Sequence, residues 1–172
     1  MAFPNTLVIN VTEREVTAIV EVPTSDTETS KRNWAIASDH MWLMPIPDKN
    51  SEAAKNINQQ IYADVEGVMH VVDVSPSVSP EIGSFCTDEP VNNAIDIVAL
   101  MTTDLKNQVK NVKATDANST NLFLNSGVEI AVGTSENLRE KERVAQELLS
   151  RYEGKISYIN VRNASNPTWR SI

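Results

Sequence analysis

Between Gly127 and Arg162 the apolar spacing switches from two residues to a helical repeat and back again, in GVEIAVGTSENLREKERVAQELLSRYEGKISYINVR. Val128, Ile130 and Val132 alternate as in a strand, whereas Leu138, Ala145, Leu148, Leu149 and Tyr152 recur along one side of a charged helix. From Ile156 to Val161 the pattern is that of a strand again. Such a unit needs a sheet that the helix can cover. The same outline serves phosphate-binding proteins, which wrap the anion in several glycines, as in GxxxxGK[ST] or GxGxxG. Here Gly133 stands alone. Ser135 or Thr134 is placed to cap the helix, and Glu136 sits where the helix dipole favours a carboxylate and where a phosphate would be repelled. Glu147 and Arg151 form an i,i+4 pair, and Gly154 is expected to end the helix. The unit reads as architecture rather than chemistry.

The remaining chain is strand-rich. TLVINVTEREVTAIVEV alternates twice, through Leu7, Ile9 and Val11 and then through Val16, Ala18, Val20 and Val22. PTSDTETSKRN has no periodicity and is expected to be an exposed loop, after which WAIAS and MWLMPI form a hairpin around Ser38, Asp39 and His40. From Ser51 to Val65 the spacing of Ala54, Ile57, Ile61 and Val65 predicts one amphipathic helix. VMHVVDV is a short strand, and Pro76 and Pro80 exclude a helix or interior strand directly after it. Pro90 opens a second helix behind Asp88 and Glu89, with the stripe Val91, Ile95, Val98, Leu105 and Val109. Three strands follow, in VKNVKAT, TNLFLN and VEIAV. The expected fold class is α+β, a mostly antiparallel sheet with helices packed against it.

Charge and composition exclude several functions. Fifteen Lys and Arg against 23 Asp and Glu give a net charge of −8, which opposes nucleic-acid binding. No apolar run approaches the roughly 20 residues that span a bilayer. Cys86 is the single cysteine, so no internal disulfide forms. It becomes a nucleophile only if His40 or His70 meets it in space; otherwise it is a structural thiol. Two histidines and one cysteine, dispersed along the chain, make a poor zinc set. Asp64 with Glu66 and Asp88 with Glu89 could do acid and base work, but nothing in the sequence separates their pKa values. Asn118-Ser119-Thr120 fits a glycosylation pattern within a stretch of turn residues. No catalytic, cofactor or metal set emerges, and a binding role is favoured.

Two segments carry a family resemblance. Pro4-Asn5-Thr6-Leu7-Val8-Ile9-Asn10-Val11-Thr12-Glu13-Arg14 resembles WPNTLxIxVxER, which closes the POTRA module of the bacterial cell-division family FtsQ/DivIB, with Phe3 at the tryptophan position. Gly127 to Gly133, Lys141, and Ile156 to Arg162 are similar to that family's G-x-x-I-x-L-G, K and I-x-x-I-D-L-R. Asn160 replaces the usual aspartate, Asn163 the usual tyrosine, and His40 stands in a turn where glycine is common.

The resemblance implies that residues 1–14 are the last strand of a truncated POTRA module and residues 15–172 an FtsQ/DivIB-type β domain. It further implies a non-enzymatic, extracytoplasmic scaffold of the divisome at the septum, anchored in the cell membrane by one N-terminal helix absent from these residues. Its expected partners are FtsB/DivIC- and FtsL-type proteins, with a role in regulating septal peptidoglycan synthesis and with no cofactor, small-molecule substrate or nucleic acid. Strand addition at the last strands implicates Tyr158, Arg162, Ser165, Thr168, Trp169 and Ser171. The competing readings are a surface hydrolase using Cys86 or a carboxylate pair, and an extracellular solute-binding or adhesion domain.

Overall fold

The computed structural model describes residues 13–24 and 30–172. The expected strand through Leu7, Ile9 and Val11 lies outside the described residues. Among those described, nine strands form one sheet: β1 (Ala18–Pro23), β2 (Lys31–Ile36), β3 (Trp42–Ile46), β4 (Met69–Val72), β5 (Val109–Lys113), β6 (Thr120–Leu124), β7 (Glu129–Gly133), β8 (Ile156–Asn160) and β9 (Thr168–Ser171). Their order across the sheet is β3-β2-β1-β4-β5-β6-β7-β8-β9. The fold is α+β as expected, but the sheet is mixed rather than mostly antiparallel: β1 with β4, β4 with β5, and β7 with β8 are parallel. The reason lies in the connections, since a helix between neighbouring strands returns the chain to the end where it began. Helix α1 (Ile61–Asp64) is short; α2 (Glu89–Leu100) and α3 (Thr103–Gln108) link β4 to β5, and α4 (Leu138–Arg151) links β7 to β8.

Three expected helix boundaries shift, the first two because a polar side chain competes for the backbone. The single helix over 51–65 is a 3-10 turn, Glu52–Asn56, followed by α1. Between them Ile57 is extended, the Gln59 amide donates to the Ala54 carbonyl, and Asn58 Oδ1 accepts from the Gln60 N–H. The stripe expected to run unbroken to Val109 is cut at Thr102, whose extended backbone and hydroxyl cap α3, so that Val109 opens β5. The cap of α4 is neither Ser135 nor Thr134 but Asn137, in the left-handed region at φ 53°. The expected loop also ends early: Lys31 to Asn33 belong to β2, in register with Pro23 to Glu21.

The main core lies on one face of the sheet, where α2 packs on β1, β4, β5 and β6, and α4 packs on β7 and β8. Trp34 and Trp42 are buried there, edge to face with ring centres 6.1 Å apart. A smaller cluster on the opposite face, Ile19, Ala35 and Ile46, is covered by Ile61, Tyr62 and Val65. The turn between β2 and β3 puts His40 at φ 66°, and its Nε2 lies 2.8 Å from Asp96 Oδ1 on α2.

The glycine at the end of β7 turns a corner that is crowded. Gly133 has φ +76°, and a Cβ there would sit 3.0 Å from Arg162 Cγ and 3.3 Å from the Asn118 carbonyl oxygen. One side chain pins the loop that follows. The Asn93 amide on α2 donates to Thr120 Oγ1 and to the Gly133 carbonyl at 2.8 Å each, while its oxygen accepts from the Ser135 N–H at 2.9 Å. Lys141, 5% exposed, donates to the Thr134 carbonyl at 2.8 Å. Burial pushes the Lys141 amine below the usual lysine range, partly offset by Glu136. Asn93→Ala removes three bonds and leaves groups of the buried Thr120 and Gly133 and the half-buried Ser135 without these partners, so urea unfolding is expected to show a loss of about 2–3 kcal/mol with the m-value unchanged.

Candidate partner-binding edge

An open sheet has two edges, and the two here are treated differently. At the outer edge of β3, the Trp42 N–H donates to the Ser84 carbonyl at 2.9 Å, the Gly83 N–H to the Trp42 carbonyl at 2.8 Å, and the Cys86 N–H to the His40 carbonyl at 2.8 Å. The loop before α2 thus seals the first part of that edge, and every residue of β3 is buried or half-buried. All four residues of β9 are exposed, and its outer edge has no strand partner among the described residues.

Which groups of β9 face outward follows from its pairing with β8. The Ile172 N–H donates to the Lys155 carbonyl at 3.2 Å. Backbone groups alternate sides along a strand, so Thr168 and Arg170 direct theirs at β8 while the groups of Trp169 and the N–H of Ser171 face the open edge; the Ser171 carbonyl is reached by the Ser157 hydroxyl. Pro167, on the outward parity, has no N–H to offer, which suits an edge. Two aromatic contacts, one on each face of the sheet, hold this short strand. On the helix face Trp169 stacks on Tyr152 at 5.2 Å between ring centres, yet remains 41% exposed. On the other face the Arg170 guanidinium lies 4.5 Å from the centre of the Tyr158 ring. The Ser157 hydroxyl donates its one proton between two carbonyl oxygens, that of Ser171 at 3.1 Å and that of Arg170 at 3.4 Å.

The six residues singled out from the sequence therefore occupy five different settings. Trp169 and Ser171 lie on the open edge, and Tyr158 supports it from β8. Thr168 is on β9 but bonds inward. Ser165 sits in the connecting turn, its N–H taken by Asn163 Oδ1 at 3.0 Å. Arg162 packs its aliphatic stem on Gly133 and donates to the Ser119 hydroxyl, so its side chain latches the end of β8 to the turn before β6. Arg170 escapes the sequence reading, and Tyr152 is read there only as part of the apolar stripe of α4; the signal for their place at the edge is the cross-strand or stacking partner, which needs the register.

Cys86 has the surroundings of a structural thiol. It is 6% exposed, burial pushes its pKa above the usual thiol value, and its sulfur lies 3.9 Å from the Asp88 carbonyl oxygen. The ring of His40 is engaged with Asp96, and His70 Nδ1 lies 3.0 Å from Glu21 Oε1. Asp88 is used as the cap of α2, accepting from the Val91 N–H at 3.0 Å. A surface groove of about 680 Å³, lined by Val16, Met41, Leu43, Met44, Ile61 and Ile82 among others, includes neither Cys86 nor a histidine.

Among known families, residues 54–162, well over half of the chain, match the model described as cell division protein FtsQ/DivIB, C-terminal. The match runs from the 3-10 turn to the Arg162 latch and ends before β9. No curated protein and no solved structure matches the chain. Because the thiol is buried with a raised pKa, iodoacetamide at neutral pH is expected to alkylate Cys86 at least about tenfold more slowly in the folded chain than in urea. Cys86→Ala is expected to cost about 1 kcal/mol in thermal unfolding and to leave partner binding intact.

Proposed function

The chain belongs to the FtsQ/DivIB family, and on that footing we propose that it is an extracytoplasmic scaffold of the bacterial divisome that takes up a strand from an FtsB/DivIC-type partner on the open edge of β9. Family membership supports a role in cell division in a family of non-enzymatic scaffolds. In this reading residues 15–172 are the FtsQ/DivIB-type β domain and residues 1–14 the end of a POTRA module. The FtsL-type protein joins the same assembly, and occupancy of the edge helps regulate septal peptidoglycan synthesis. No described helix is long and apolar enough to cross a membrane.

The observation that carries the reading is the asymmetry of the two edges. One edge is sealed in its first part by its own loop, while the other presents the N–H and C=O groups of Trp169 and the N–H of Ser171 beside a large aromatic surface. A row of unfilled backbone groups is the template for strand addition, and a stacked tryptophan that remains partly exposed is the kind of anchor that dominates interface energy.

Ser171→Pro removes an outward N–H without touching the bonds to β8, so it is expected to abolish binding of the partner's extracytoplasmic segment in calorimetry while the circular dichroism spectrum stays native. Trp169→Ala is expected to weaken the same interaction by at least about 2 kcal/mol. Thr168→Pro is less informative, because Thr168 pairs inward and its replacement loosens β9 itself. Undiminished binding by both Ser171→Pro and Trp169→Ala would remove the edge from the mechanism.

A further inference from the structure

The charge of the edge is opposite to that of the chain. Lys and Arg total 15 against 23 Asp and Glu, a net −8, yet from Gly154 to Ile172 there are Lys155, Arg162 and Arg170 and not one acidic residue. On the sheet face away from α4, register aligns His70, Asn111, Phe123, Glu129, Tyr158 and Arg170 across six strands. Arg170 ends that row. Its partner there is the Tyr158 ring, and among the described residues no carboxylate lies within ion-pair distance of it. Glu129, one strand beyond Tyr158, is already held by Asn121 at 2.9 Å and Lys113 at 3.8 Å. Trp169 projects to the other face, in register with the core residue Ile159.

Resting on the strand-addition reading above, we infer that the strand accepted by β9 is an acidic one that alternates carboxylates with apolar residues. A strand added roughly 4.8 Å from β9 places its side chains alternately on the same two faces. On one face a carboxylate meets the guanidinium of Arg170, which has no acidic partner of its own. On the other face an apolar side chain extends the stack of Trp169 on Tyr152. A lysine or arginine beside Arg170 is repelled at that spacing, where charge-assisted bonds and like-charge pairs differ most. The field of the whole chain acts in the opposite sense, drawing basic peptides at large, so a preference for the acidic strand has to come from the edge itself.

Two capped octapeptides serve as probes, one alternating Val and Glu and the other alternating Val and Lys, each titrated at low salt into the isotope-labelled chain and followed by NMR. The expected result is that the Val/Glu peptide shifts the Trp169 and Ser171 amide resonances and binds at least about tenfold more tightly than the Val/Lys peptide. Arg170→Glu gives up the contact with Tyr158, so the amide shifts of Arg170→Glu are first checked to show β9 still paired with β8; with the strand in place the variant should reverse that order, and Ser171→Pro should abolish binding of the preferred peptide. If both peptides bind equally, or Val/Lys binds better, and both lose binding in Ser171→Pro, the acidic preference is overturned and strand addition stands. If neither peptide perturbs β9, or the Val/Glu peptide binds Ser171→Pro unimpaired, both are overturned.

Discussion

Every backbone N–H and C=O in a sheet needs a partner, and an open sheet leaves one row of them unfilled at each end. The arrangement of this molecule turns on how those two rows are handled. At β3 the chain meets the requirement itself, folding residues 83–86 back across the start of the edge with three backbone bonds. At β9 it does not, and the N–H and C=O of Trp169 and the N–H of Ser171 are left to solvent. The contacts that hold β9, Trp169 on Tyr152 and Arg170 on Tyr158, lie on its two faces rather than along its outer edge. They fix the strand while keeping its hydrogen-bonding edge open. Short length, a preceding proline and an exposed arginine are also the devices by which edge strands avoid pairing indiscriminately.

The motif residues that look most chemical turn out to hold this edge in place from a distance. Gly133 has no side chain because Arg162 and the Asn118 carbonyl occupy the space a Cβ would need. Lys141 is buried against the Thr134 carbonyl, and Asn93 ties α2 to β6, to β7 and to the loop before α4. Arg162 then joins the end of β8 to the turn at Ser119. The glycine, lysine and arginine of the motif therefore converge on the crossover from β7 to β8, the strand that pairs with β9.

Much of this was legible in the sequence because it depends on local periodicity. Strands at WAIAS, TNLFLN and VEIAV, the proline-led start of α2 and the buried stripe of α4 all follow from spacing and capping. What was not legible depends on pairing. Parallel contacts between β1, β4 and β5 join strands far apart in sequence, and nothing in their composition marks them. The helix expected over 51–65 failed because Asn58 and Gln59 offered the backbone side-chain bonds that periodicity does not count. At the candidate edge Trp169 and Ser171 could be named from the sequence, whereas the inward pairing of Thr168, the latch at Arg162 and the supports from Tyr152 and Arg170 required the register.

The central claim is that β9 is a firmly held strand with an open outer row, filled by the partner. Amide hydrogen exchange resolved by residue tests it most directly. In the free chain, Arg170 and Ile172 are expected to be protected while Trp169 and Ser171 exchange at nearly unprotected rates, and addition of an FtsB/DivIC-type extracytoplasmic segment should slow the latter pair. Protection of Trp169 and Ser171 before any partner is added, or no change in them once the partner is bound, would contradict the account.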